Sequence, residues 1–421
     1  MNKEKEIYFP KLDKIRVAAD TIKKVSAVTP LSLSPRYSKQ FGSNILFKRE
    51  DLQQVRSYKI RGAYNKISSL SKEEASKGVV CSSAGNHAQG VALSCNLLKI
   101  KGTIFMPAPT PNQKIEQVKM FGEDYIDIKL VGDTYDDAYH AAMLACEQQN
   151  QVFIHPFNDK KVIEGQGTIG LEILEQTNHP IDYVFLAVGG GGLAAGLSTL
   201  FKSLSPNTKI IGVEPEGAPS MSVSIRNNKN TELEHIEKFI DGAAVKRVGD
   251  LTFPICKANL HDMITVPEGK VCETILELYN KDAIVVEPAG ALSISALDFY
   301  AEEIKDKNVV CIVSGSNNDI TRTPEIKERA LLYANLKHYF IVNFPQRAGA
   351  LKEFVVDILG KNDDITYFQY AKKTNRENGS AVVGIQLKSA NDLQPLITKM
   401  KTHNFYGDYL NNKPDLFQFL V

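Results

Sequence analysis

Through the first three quarters of the chain, short apolar runs alternate with longer stretches whose apolar residues recur at helical spacing. The runs Asn44 to Lys48, Gly78 to Cys81, Gly102 to Met106, Tyr125 to Leu130, Gln151 to Ile154, Tyr183 to Val188, Lys209 to Val213 and Asn308 to Val313 are predicted strands. Several are apolar without alternation, as strands covered on both faces are. Asn86 to Leu98, Asn112 to Phe121, Thr134 to Gln149 and Ile163 to Glu175 carry the helical pattern between them. Strands that return through helices build parallel sheets, so this part reads as an α/β body with open, parallel-type sheets.

Near Thr321 the pattern changes. Thr321 to Lys337 is a charged, helix-like connector containing Pro324. Beyond it the order is strand (Tyr339 to Phe344), helix (Ala348 to Leu359), strand (Ile365 to Tyr370), strand (Ala381 to Leu387), helix (Asp392 to Met400) and a final apolar stretch. That β-α-β-β-α-β order predicts a ferredoxin-like α+β unit. The expected boundaries are a body over 1–322, a connector over 323–337 and a small domain over 338–421. No fixed-period repeat or long low-complexity tract interrupts this plan.

Composition narrows the class of function. With 421 residues, 43% hydrophobic and 24% charged, the chain can fill two or three globular domains. Fifty basic and forty-nine acidic residues leave a net charge of +1, which supplies no field for a phosphate backbone or an anionic membrane. Neither nucleic acid nor membrane is an expected partner. Met1 to Lys14 is charged, is broken by Pro10 and has no apolar core of a signal peptide, so a cytoplasmic location is expected. No apolar run approaches the length of a bilayer span. The six cysteines, Cys81, Cys95, Cys146, Cys256, Cys272 and Cys311, show no metal-like spacing and read as buried reduced thiols.

The candidate chemistry starts at Lys59, in Ser57-Tyr58-Lys59-Ile60-Arg61-Gly62-Ala63. A lysine attacks carbonyls only when held in place with a pKa below the solution value of about 10.4. Arg61 is a nearby cation able to lower it, although a solvated lysine opening a helix fits the heptapeptide equally. Three loops change that balance. Ser82-Ser83-Ala84-Gly85-Asn86-His87 follows a strand and opens a helix, where unpaired N–H groups suit a carboxylate and the Asn86 amide can bond a ligand. A plain helix cap also fits it. Gly189-Gly190-Gly191-Gly192-Leu193 is a strand-to-helix turn whose N–H groups can wrap a phosphate. The same turn matches a dinucleotide fingerprint as Gly189-x-Gly191-x-x-Ala194, with Glu214 where a ribose-binding acid belongs. Ser314-Gly315-Ser316-Asn317 ends a strand and offers a hydroxyl to a heterocyclic nitrogen, or simply a turn serine.

Taken together these stretches resemble the pyridoxal-phosphate enzymes of the tryptophan-synthase β type, the fold-type II class, and within them the biosynthetic threonine dehydratases. The likeness runs in order through Thr29-Pro30-Leu31, Lys48-Arg49-Glu50-Asp51-Leu52-Gln53, the Lys59 heptapeptide, Ser83-Ala84-Gly85-Asn86-His87-Ala88-Gln89-Gly90, the tetraglycine, Glu287-Pro288-Ala289-Gly290-Ala291 and Ser314-Gly315. It implies that Lys59 binds pyridoxal phosphate covalently and that Asn86 bonds its phenolic oxygen. Gly189, Gly190, Gly191, Gly192 and Leu193 would hold its phosphate, and Ser314 would face its ring nitrogen. Ser83, Ala84, Gly85, Asn86 and His87 would contact the substrate. A nicotinamide site gives no reason for Lys59, Asn86 and Ser314 to accompany the glycines.

The implied reaction is dehydration and deamination of L-threonine to 2-oxobutanoate and ammonia, with some L-serine activity, at the entry to isoleucine biosynthesis. After the substrate amine displaces Lys59, the freed amine takes the α-proton, and the cofactor phosphate supplies a proton to the departing hydroxyl. In the similar serine racemases a serine stands at the position of Ala84, and a divalent metal lies beside the phosphate loop. Here Glu214 and Ala218 match that metal pattern while Ser220 replaces its second carboxylate, so no divalent site is expected. A monovalent cation stays compatible with the pattern. The segment Phe344-Pro345-Gln346-Arg347-Ala348-Gly349-Ala350-Leu351 resembles the ACT-like regulatory domain of the longer threonine dehydratases, present once. Gln346 and Ala348 stand where an acid and a proline are usual, which bears on the effector more than on the fold. The resemblance implies branched-chain amino-acid effectors, isoleucine and valine, and a homotetramer.

Overall fold

The crossovers predicted from the alternating pattern form two open sheets in the computed structural model, which describes residues 7–370 and 378–413. The first six residues of the charged start and residues 414–421 of the final apolar stretch lie outside the described residues. One sheet has the spatial order Leu31–Leu33, Asn44–Arg49, Asn308–Val313, Tyr183–Ala187, Lys209–Pro215, Asp262–Val266. All its pairings are parallel except that of Leu31–Leu33 with Asn44–Arg49. The other sheet is parallel throughout, in the order Ile126–Leu130, Gly102–Met106, Val79–Ser82, Val152–Phe153.

Two strands escaped the apolar pattern. Leu31–Leu33 is too short to show a period, and Asp262–Val266 is an edge strand with only Val266 buried. Helices behave as read: Asn86–Leu98 and Asn112–Gly122 span their predicted stretches, and Thr134 caps Tyr135–Gln149 by accepting from the Asp137 N–H.

Each sheet has its own apolar core. Ile163, Val184, Leu186, Leu197 and Val310 pack about the larger sheet, and Val79, Cys81, Val91 and Ile104 about the smaller. Each such side chain stabilises the fold by about 1.5–3 kcal/mol through burial. All six cysteines are buried and unbridged. Among the described residues no helix is long and apolar enough to cross a membrane.

The contacts divide the chain between Asp319 and Ile320, so the helix Thr323–Tyr333 of the predicted connector falls within the second unit. That unit carries an antiparallel sheet in the order Asp364–Tyr370, Asn378–Gln386, Lys337–Pro345, Tyr406–Tyr409. Numbered along the unit, the order is 2-3-1-4, the ferredoxin-like arrangement. Phe340, Phe354, Val383 and Met400 fill its core. The predicted helix Ala348 to Leu359 forms as one α turn, Ala350–Glu353, widening into a π-type turn over Phe354–Ile358.

Candidate active site

Lys59 opens the helix Lys59–Ser68, and backbone bonds join the stretch before it to the loop after Val313. The Tyr58 N–H donates to Ser314 O at 3.2 Å, and the Ser316 N–H donates to Arg56 O at 2.9 Å. The Lys59 amine donates to Pro156 O at 3.2 Å and has Tyr58 beside it, 5.3 Å from the ring centroid. Loss of water pushes its pKa down from 10.5 to about 8, while the Glu287 carboxylate opposes that shift. The side chain keeps partial exposure, as a group lining a cleft does.

Arg61 does not play the part expected of it beside Lys59. Its guanidinium belongs to a separate buried network and is not what lowers the Lys59 pKa. Arg61 donates to Glu50 through Nε and Nη2, both at 2.8 Å, and to Glu172 at 2.6 Å. Glu50 also accepts from Thr29 Oγ1 at 2.6 Å, and Glu172 from Lys48 Nζ at 2.5 Å. Burial opposes the charge on Glu50, yet Arg61 holds its pKa below the ordinary carboxylate value. The network ties the helix carrying Lys59 to Lys160–Gln176 behind it.

The loop before Asn86–Leu98 meets the same place from the smaller sheet. Asn86 Nδ2 donates to Glu287 Oε1 at 2.6 Å, and Asn317 Nδ2 donates to Asn86 Oδ1 at 2.6 Å. Glu287 is 7% exposed and immediately precedes the helix Pro288–Ser295. Burial first, then repulsion by Asp241, raises its pKa to about 7. Ser83, Ala84, Gly85 and Asn86 are partly exposed, and a Cβ built on Gly85 would meet open space. His87 turns its side chain inward. It is buried, its Nε2 bonds Ile154 O at 2.8 Å, and burial pushes its pKa down to about 3, so the ring stays neutral and supports the loop from behind.

The tetraglycine turn joins Tyr183–Ala187 to Gly192–Leu204. Gly191 has φ +90°, which a side chain tolerates poorly, and a Cβ on Gly190 would lie 2.2 Å from the Phe157 ring. Thr252 Oγ1 donates to Gly190 O at 2.6 Å and fixes the turn. Phe157 directly follows Pro156, so the segment that receives the Lys59 amine also packs on the glycines. Ser314 is buried, and its hydroxyl donates to Ala289 O at 3.2 Å. Lys59, Asn86, the glycine turn and Ser314 are thus brought together, and His87 is set behind them.

The dinucleotide alternative loses its acid. Glu214 accepts from the Met221 N–H at 2.6 Å, the Ser222 N–H at 2.8 Å and Ser222 Oγ at 2.7 Å. A carboxylate held by three protein donors has little left for a ribose. Ser220 donates to Val245 O, and among the described residues no His, Cys, Asp and Glu group is arranged to hold a metal ion.

Pyridoxal phosphate suits the residues present. The amine has a depressed pKa, open space faces Gly85, a glycine turn at a helix N-terminus presents N–H groups, and Asn86 keeps one amide hydrogen beyond the one given to Glu287. Phe157 and Thr252 carried no local signal in the sequence, whereas Glu287 and Asn317 stood in stretches singled out there without being given a role.

Residues 22–315 match the family described as pyridoxal-phosphate dependent enzymes, and residues 328–420 match the C-terminal regulatory domain of threonine dehydratase. L-threonine dehydratase biosynthetic IlvA of Halalkalibacterium halodurans is 52% identical over 410 residues, covering 97% of this chain and 99% of that protein. The protein of the same name from Bacillus subtilis is 53% identical over 404 residues, covering 96% of each. Among solved structures, the processed form of threonine deaminase isoform 2 from Solanum lycopersicum is 41% identical with a TM-score of 0.72, covering 77% of this chain and 97% of that one. Maize serine racemase superposes with the same TM-score of 0.72 at 32% identity, covering 77% of this chain and 99% of its own. By the match along almost its whole length and the two domains in this order, the chain belongs to the pyridoxal-phosphate-dependent enzymes and, within them, to the biosynthetic threonine dehydratases.

Proposed function

We propose that the chain holds pyridoxal phosphate on Lys59 and converts L-threonine to 2-oxobutanoate and ammonia. The observation that carries this is the Lys59 amine, its pKa lowered to about 8, within the field of the Glu287 carboxyl that accepts from Asn86 and joined through Pro156-Phe157 to a glycine turn. When bound, the cofactor supplies an electron sink that makes the α-proton of an amino acid removable. Lys59 anchors it and, once displaced by the substrate amine, serves as the base at the α-carbon. An amine with a pKa near 8 is neutral for a useful fraction of the time at neutral pH.

The backbone N–H groups after Ser83, at the mouth of the helix starting at Asn86, suit the substrate carboxylate. When the cofactor is bound, Asn86 would bond its phenolic oxygen and the N–H groups from Gly189 to Leu193 would take its phosphate. Ser314 would present a neutral hydroxyl to the ring nitrogen, which favours elimination over transamination. Ala84 carries no proton acceptor where the racemases have a serine, and this favours the lyase reading over racemisation.

The catalytic part spans 1–322 and the regulatory part 338–421, the latter taking isoleucine or valine as effector. The enzyme works in the cytoplasm as a homotetramer and accepts some L-serine. Incubating protein and cofactor with threonine and with serine, while following 2-oxo acid release and the visible band of the bound cofactor, tests the reading. Lys59→Ala should lose both band and turnover. Turnover near the parent rate would refute the role of Lys59, and no band in the unaltered protein would refute the whole reading.

A further inference from the structure

We infer that Glu287, together with Asn317, is a positioning residue that fixes the orientation of the Asn86 amide. This deepens the pyridoxal-phosphate reading and rests on it. The geometry is a chain of three side chains from three distant parts of the sequence. Asn317 Nδ2 donates to Asn86 Oδ1 at 2.6 Å and to Val55 O at 2.9 Å, while Asn86 Nδ2 donates to Glu287 Oε1 at 2.6 Å.

A flipped Asn86 would set its carbonyl oxygen against the carboxylate and its NH2 against that of Asn317, two repulsions in place of two bonds. The amide is therefore held one way round. Its remaining N–H is a fixed donor on a partly exposed side chain, and a fixed donor suits an oxygen that bears negative charge. The close fit has a second sign. A Cβ on Gly315 would lie 2.5 Å from Glu287 Oε1, so the carboxyl occupies its place because residue 315 has no side chain.

The groups facing Glu287 set when it carries charge. Asp241 repels its anion and Lys114 attracts it, and these two form an ion pair with each other at 2.6 Å. Lys59 and Tyr58 both feel Glu287, which favours the charged amine and opposes a tyrosinate. With burial as the leading cause, these groups leave its pKa raised to about 7. Below that value the site loses one negative charge beside Lys59 and Asn86.

The test uses holoenzyme and the absorption and emission of the bound cofactor from pH 5.5 to 9, on the order of the range that spans a carboxyl raised this far. The unaltered enzyme should show a spectral transition near pH 7. Glu287→Gln, which keeps shape and the acceptor for Asn86, should retain cofactor and lose that transition. Asn317→Asp sets a carboxylate against Asn86 Oδ1 and should weaken cofactor binding about tenfold, the loss of one well-formed polar bond. Circular dichroism confirms that each variant is folded. The inference is overturned if Glu287→Gln keeps the transition, or if folded Asn317→Asp binds cofactor as tightly as the parent. If the unaltered protein forms no visible band, the cofactor reading itself fails and this inference with it.

Discussion

Replacing Arg61 by methionine should destabilise the catalytic unit far more than it changes side-chain volume. Arg61 is 1% exposed and Glu50 is fully buried, and Arg61 gives Glu50 two of its bonds. Lys48 offsets one carboxylate of the Glu50 and Glu172 pair, so removing the guanidinium leaves one negative charge uncompensated in the interior. Stranding a buried charge in this way costs about 3–5 kcal/mol. Unfolding entropy of about 2.1 cal/mol/K per residue, taken over the unit Met1–Asp319, converts that into a fall in Tm of roughly 4–8 °C. Differential scanning calorimetry at pH 7 on the parent and on Arg61→Met reads it directly, and adding Glu50→Gln should restore part of the loss. The pH dependence has a fixed sign. The folded-state pKa of Glu50 is held below its unfolded value, so its pairing stabilises above that unfolded value and is lost as pH falls through the folded one. The gap between parent and variant should therefore narrow in acid. A fall in Tm below about 2 °C at pH 7, well under the cost of a stranded charge, or a gap that widens in acid, would refute the reasoning.

Covalent cofactor uptake by apoprotein should quicken as pH rises and level off above about 8, where the Lys59 amine is neutral. The difference between 10.5 and 8 makes the neutral fraction at pH 7 about 300 times that of an ordinary lysine. Stopped-flow absorbance measures it, and a rate still rising tenfold per unit above pH 9 would count against a depressed pKa. A chain ending at Asp319 should stay catalytic and lose its response to isoleucine and valine, because the described core residues of the two units form separate clusters. The coupling at stake is on the order of 1–3 kcal/mol, and an unchanged inhibition curve in the truncated enzyme would place the effector on the catalytic unit.

The fold was legible wherever one element decided its own fate. Gly102–Met106 and Asn308–Val313 begin and end where their apolar runs do, because interior parallel strands are apolar on both faces. Asp262–Val266 did not announce itself, since an edge strand needs little burial. The site was legible in its loops for a similar reason: a tetraglycine after a strand, or a small-residue turn before a helix, is a local statement about backbone. His87 shows the limit of that kind of evidence. Its place in the motif suggested a ligand contact, and only the fold reveals Ile154 O as its partner.

Arg61 and Glu287 mark where adjacency in sequence misleads about electrostatics. Lys59 and Arg61 are both in the first turn of one helix, and residues two apart on a helix do not face each other. The cation nearest along the chain was therefore the wrong candidate on geometry alone. Arg61 reaches back to Glu50 and Glu172 and so holds the helix in place, a structural service to Lys59 without an electrical one. The charge that does act on the amine comes from Glu287, carried to the cleft by the helix after Pro288 and seated against Gly315. Burial lowers the Lys59 pKa and Glu287 limits the fall, so the nucleophile is set by two effects that no window of sequence around it contains.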